Sequence, residues 1–588
     1  MIKTAQSILP LLALMISAAV PHYGQTTTAA LPQNRADEAK RADNNELELK
    51  KMALIGDLQI LSAEASNLDK PLARALARAE IADAAWALDP DWSKQLLREA
   101  YELTLPSDED AAEGDKRTET SAPLARSEQA VRSRVLQIAA RDSALAKELA
   151  DLGAKRLAQR QTQANYSALA GQALQKGDIT TASQYIQQSI QVDPTQMDPG
   201  FSIIQVAARD RAAADKLIVE YISTLRAVPL STQSAARIYV MLSHLVFPAS
   251  APQIAGLSQP TTPPGSTVMK AYVSFMIESL ARLEQIEPGS LQNFRAMLMN
   301  VWPILRQYAP ELTAAFYELE VLSRRPGEDA SLPKGDIGDL YNDRYEKRVK
   351  DALDSDKPDP LTIYSVISKG DFAQARRMID KLDEGPQKTQ LIEAVNAQEA
   401  ISFATEGDLI KAAQLAQNLK GAVSIMRVYP IIVNKCVAKK DRTCAANSVY
   451  QAMKQLKDAS NTLPTPPSGL PASFMPTSGE FDPVALSLCK LAKIIASINS
   501  ALALDVLDEA VQAANRGNID TGQGRTGLET DVFKQLAAED ETRTYQAAVS
   551  LKQRLPRIVA LAALYQWKSQ VLASHTKAAD RSKESIRN

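Results

Sequence analysis

The chain has 588 residues, 45% of them hydrophobic and 23% charged, a composition that excludes wholesale disorder. Its 67 Lys and Arg face 69 Asp and Glu, so it lacks the basic excess with which proteins grip nucleic-acid phosphates. Alanine is the commonest residue, at about 15% of the chain; having no side-chain torsion to fix, it is the best helix former. The expectation is an all-α protein.

Residues 1–24 read as a secretory signal peptide. Lys3 precedes an apolar run from Ile8 to Val20 that closes on Ser17, Ala18 and Ala19. The run is too short for the roughly 20 residues that span a bilayer, and no later stretch predicts a membrane span. Periplasmic or secreted localisation is therefore expected. The polar, Thr- and Ala-rich residues 25–46 read as a linker, and helical repeats are expected over 47–247. Their first clear pair carries Leu72, Leu76, Ile81, Ala85 and Leu88 on one face. Asp89-Pro90-Asp91 breaks that helix, and Asp91 is placed to cap the return helix.

The plan then repeats. The stretch Ile138–Leu149 aligns without gaps to Val206–Leu217, 68 residues on, twice the 34-residue period of a common two-helix repeat. Glycine–aspartate turns mark the pairs at Gly177-Asp178, Gly370-Asp371 and Gly407-Asp408, and Asp441 falls in a fourth turn. Glycine tolerates the left-handed residue that ends one helix, and Asp caps the next. Acidic residues 105–123 interrupt the pattern, as do a Pro-rich loop at 248–266, a linker at 326–340 and a second Pro-rich loop at 463–483. These leave a middle helical block at 267–325, repeats at 341–462, C-terminal helices at 484–575 and a polar tail at 576–588. Helix pairs that cannot bury their apolar faces alone must stack, so the fold expected is an α-solenoid of antiparallel helix pairs with no sheet.

In the pair between the two aligned copies, Tyr166, Leu169, Ala170 and Ala173 are followed by the Gly177-Asp178 turn, then Ala182, Ile186, Ser189 and Pro194. This unit resembles a tetratricopeptide repeat, which implies close helix packing at Ala170 and Ala182. It also implies a groove lined by Ala164, Ser167, Ala168 and Gly171. The Lys, Arg and Asn clamp with which that family holds a peptide carboxylate is missing from these positions. More broadly, the IAARD-x-A-x-A and KGD-x-x-x-A pairs resemble those of exported bacterial helical-repeat proteins, a likeness that brings no activity with it.

Candidates for chemistry are few. Of three histidines, only His244 lies in a predicted helix, and its apolar setting reads as core rather than catalytic. No nucleophile elbow, phosphate-binding loop, dinucleotide fingerprint or tight zinc-ligand spacing is present. No catalytic, cofactor-binding or metal-binding residue is predicted, and no cofactor. Trp86, Trp92, Trp302 and Trp567 read as packing residues rather than sugar platforms. Cys436 and Cys444 lie at similar distances from the Lys440-Asp441 turn on antiparallel helices, which allows a disulfide in an oxidising compartment; two small buried thiols are the other reading. Cys489 sits on an apolar helix face.

The function expected is a non-catalytic scaffold that holds another protein on its concave surface. Two other readings stand beside it: an envelope glycan-binding or glycan-cleaving protein, and a structural spacer. Neither nucleic acid nor a membrane span is expected among its partners; a glycan is possible.

Overall fold

The computed structural model describes residues 33–587 apart from 107–121, 158, 197, 247–261, 325–345, 347–348, 460–482 and 517–525. The signal-peptide residues, the acidic loop and most of the Pro-rich loops and the 326–340 linker lie outside the described residues. Met1–Lys50 and Lys51–Asn588 are two separate units.

The first half of the chain runs α1 Gln33–Ser66, α2 Pro71–Ala85, α3 Pro90–Glu102, α4 Ala122–Ala139, α5 Ser143–Arg156, α6 Gln159–Gln175, α7 Ile179–Val192 and α8 Asp198–Ala207. It continues with α9 Arg211–Arg226, α10 Thr232–Val246, α11 Ser266–Ile286, α12 Leu291–Tyr308 and α13 Thr313–Leu322. The second half holds α14 Pro360–Ser368, α15 Phe372–Asp380, α16 Pro386–Glu406, α17 Leu409–Ala416, α18 Ala422–Ala438 and α19 Arg442–Asp458. Its last helices are α20 Pro483–Ile495, α21 Ser500–Arg516, α22 Asp531–Ala537, α23 Glu541–Val549 and α24 Arg554–Arg587. No sheet forms among the described residues.

The helices reach further at both ends of the chain than the expected repeats, and one expectation, the cap of α3, is corrected. Residues 33–46 of the expected linker are helical, as the opening of α1. The expected polar tail is helical to Arg587, as the end of α24. Both stretches are polar, but beyond Pro32 they hold no Pro or Gly and many Ala, Lys, Arg and Glu, so propensity outweighs polarity. The cap of α3 is Asp89, whose carboxylate accepts from Trp92 N at 3.0 Å, because Pro90 already occupies the first helical turn.

The turn signals work as their chemistry predicts. Gly177, Gly370 and Gly407 have φ of 77°, 85° and 97°. After each, the aspartate's amide donates back across the turn: Asp178 N to Ala173 O, Asp371 N to Val366 O and Asp408 N to Phe403 O. The same aspartates accept amides of the next helix, from Thr181, Gln374 and Lys411. An Asp cap contributes about 1 kcal/mol. The turns are also tied to one another, since Lys176 Nζ donates to Ala140 O at 2.6 Å and Lys439 Nζ to Gly407 O at 3.1 Å. Each cation thus meets a helix C-terminus of the preceding pair, where it opposes the dipole.

Packing makes one array of these pairs. Helices α2, α4, α6, α8 and α10 pack in succession, as do α14, α16, α18, α20, α22 and α24. Helix α24 packs on α2. The row of first helices therefore runs on across the two ends of the chain. One hydrophobic core joins Leu54, Leu58 and Leu61 of α1, Ile81 of α2 and Ile558 and Leu564 of α24. An Arg557–Glu64 ion pair closes the same junction. A second core covers α6 to α13, and a smaller one α14 to α16 with Val349 and Ala352.

Candidate functional site

A partly buried group of charged side chains links α2 and α4. Arg134 of α4 makes a bidentate pair with Glu80 of α2, at 2.6 and 2.7 Å, and a third bond to Asp83 at 2.9 Å. Arg141, in the turn after α4, binds the other oxygen of Asp83 and lies over the Trp86 ring, 5.6 Å from its centroid. Asp83 is 5% exposed, so its charge needs both partners. Burial alone lowers the tendency of Arg134 to hold its proton; the hydrogen bond and charge of Glu80, with Asp83 and Asp531, outweigh it and hold it above its ordinary range. Asp531 opens α22 and lies 3.7 Å from Lys493 of α20, which pairs with Glu529 at 2.9 Å. The charge of Asp531 on α22 thus also bears on Arg134, beside that residue's pairing across α2 and α4.

Chemically this is a clamp. Both oxygens of each carboxylate on α2 already accept from a guanidinium, and the Trp86 face is covered by Arg141. Fork-shaped guanidinium pairs of this kind fix orientation as well as adding energy. No group of three or more His, Cys, Asp or Glu suited to a metal is found among the described residues.

The groove positions expected on α6 divide. Ala164, Ala168 and Gly171 are half-buried on α6, and a Cβ built on Gly171 meets no heavy atom within 4 Å. Ser167 faces α7 instead, its hydroxyl 3.3 Å from that of the buried Ser189. His244 sits half-buried near the end of α10; burial lowers its pKa and keeps it neutral. Trp302 packs on Phe316 and Tyr317, with centroids 5.0 and 5.5 Å away. Cys436 and Cys444 are joined, their Cα atoms 5.7 Å apart. Cys489 is a free, buried thiol whose pKa burial pushes up to about 12, which leaves it unreactive. The charged clamp was missed in the sequence. Its signal, the spacing of Glu80 and Asp83 on α2 and of Arg134 and Arg141 around α4, reads equally as solvated helix faces until α2 and α4 are known to touch.

No protein-family model matches the chain, and no curated protein does. Among solved structures, a circular tandem repeat protein with novel repeat topology and enhanced subunit contact surfaces matches at 12% identity. The match covers 87% of this chain and 99% of that one, with a TM-score of 0.18. A score so low carries no argument; the helical-repeat architecture rests on the helix contacts themselves. No described helix is long and apolar enough to cross a membrane.

Proposed function

We propose that the chain is a non-catalytic helical-repeat scaffold that holds a protein partner along its row of first helices. The observation that carries this reading is the continuity of that row from α14 through α24 to α2 and α8. Successive first helices in stacked repeats build extended binding surfaces. Gly171 leaves α6 open at its position, with the small, half-buried Ala164 and Ala168 beside it, while the clamp at Glu80, Asp83 and Arg134 keeps neighbouring helices in register. The leader at Lys3 to Val20 supports export, and with it an envelope or extracellular partner. N-terminal sequencing of the mature protein tests that step.

The test of the scaffold is in-cell cross-linking of the full-length chain carrying Gly171→Lys, with Tyr450→Ala as the contrast. Tyr450 is 56% exposed and belongs to α19, a second helix and not one of the row. Loss of a stoichiometric protein adduct with the first variant alone, at unchanged thermal stability, is the expected outcome. Equal cross-linking of both variants, or binding of the purified chain to envelope glycan in place of protein, overturns it.

A further inference from the structure

The fourth turn of the series does by another chemistry what glycine does in the other three. Here Lys440 occupies the left-handed position, with φ 56°, and it is the one non-glycine with positive φ among the described residues. The hydrogen bonds are those of the glycine turns: Asp441 N donates to Cys436 O and Lys440 N to Val437 O, both at 2.9 Å, and Cys444 N donates to the Asp441 carboxylate at 2.9 Å. The two residues that anchor this pattern, Cys436 by its carbonyl and Cys444 by its amide, are the two that the disulfide joins. In the glycine turns the same places hold Ala173 and Thr181, Val366 and Gln374, and Phe403 and Lys411. A side chain in the left-handed region is disfavoured because its Cβ crowds the following carbonyl.

We propose that the Cys436–Cys444 disulfide is a redox-sensitive fastener that holds this turn in the conformation glycine provides elsewhere. Reduction then frees the first turn of α19 and loosens the tie from Lys439 to the Gly407 turn. Cys436 is fully buried and Cys444 half-buried, so a dithiol reaches Cys444 first. Its thiolate attacks Cys444 Sγ, the S–S bond breaks, and Cys436 leaves as thiolate. The reagent's second thiolate then attacks the mixed disulfide, releasing Cys444 as thiolate. The reagent ends as a cyclic disulfide; two electrons have passed to the protein, and both its sulfurs take up protons from solvent. The inference is independent of what the row of first helices binds.

The experiment is amide hydrogen exchange of the full-length chain, purified without reductant, before and after dithiothreitol. Before treatment the intact mass should be two hydrogens below that of the reduced chain. After it, amides of residues 437–445 should exchange about tenfold faster, an effect equivalent to about 1.4 kcal/mol, while those at the 370 and 407 turns stay unchanged. Lys440→Gly should return most of the lost protection in the reduced chain. The proposal fails if both thiols are free on purification, if reduction leaves this turn's exchange unaltered, or if Lys440→Gly gives no rescue.

Discussion

From α8 to α13 the core is built of large side chains, whereas from α16 to α24 it is built largely of small ones. In the first region Tyr239 meets Phe275 and Phe294 edge-on, at centroid distances of 6.4 and 5.4 Å, and Tyr272, Met276 and Trp302 fill the space around them. In the second, Ala397, Ala400, Ala404, Ala412 and Ala416 lie buried between α16, α17 and α18, and Ala445, Ala452, Ala503 and Ala510 continue the layer. One helix-pair plan thus accepts two packing solutions. Aromatic rings hold helices apart and fill the gap, while alanines bring backbones close. The two regions should therefore fail under opposite changes.

The largest effect should come from truncation in the aromatic region. Phe275 is fully buried, so Phe275→Ala should cost about 3–5 kcal/mol through lost burial and the cavity left behind, read by denaturant unfolding. The opposite change belongs to the alanine region, where Ala400→Leu should cost about 1–3 kcal/mol by overpacking. If Ala400→Leu is neutral there, the helices are not as closely packed as the contrast requires. Gly407→Ala tests the turns instead. Its φ of 97° should make a Cβ cost about 1–2 kcal/mol, although the added methyl has room, with Lys439 Nζ the nearest heavy atom at 3.7 Å. Tyr239→Phe should have the smallest effect, about 1 kcal/mol, by removing the hydroxyl's 2.9 Å hydrogen bond to Ser279.

Acid should also separate the regions. Glu320, at the end of the aromatic region, is 1% exposed and pairs with Arg295 and Arg324. The hydrogen bond from Arg324 holds its carboxyl below the usual range against the opposing pull of burial, and Arg295 adds to the effect. A carboxyl depressed in the folded state contributes stability in full above its unfolded value, near 4.5. That contribution is lost as pH falls through the lower folded value. Hydrogen exchange of α12 and α13 should accordingly rise below about pH 4.5, and Glu320→Gln should remove that part of the acid response.

Much of the architecture is legible without coordinates. The aspartates at 178, 371, 408 and 441 cap the helices whose starts their spacing marks, because capping depends on residues within one turn of each other. The helical ends at 33–46 and 576–587 follow from the absence of Pro and Gly in polar, Ala- and Lys-rich stretches. The clamp at Glu80, Asp83, Arg134 and Arg141 was illegible. Its partners lie 51 to 58 residues apart, and no local period records which helix faces which.

By itself, then, the amino-acid order determined the helices, their pairing and their turns, since these follow from side-chain torsions, hydrogen bonds and apolar spacing within a few residues. It also placed Cys436 and Cys444 at matched distances from one turn. Only the tertiary structure decided that the last helix, α24, packs on α2 and so joins the row at the two ends of the chain. The Arg557–Glu64 pair joins residues 493 positions apart. Contacts of that range are chosen by how whole stacked helices bury their remaining apolar faces, which no local pattern can encode.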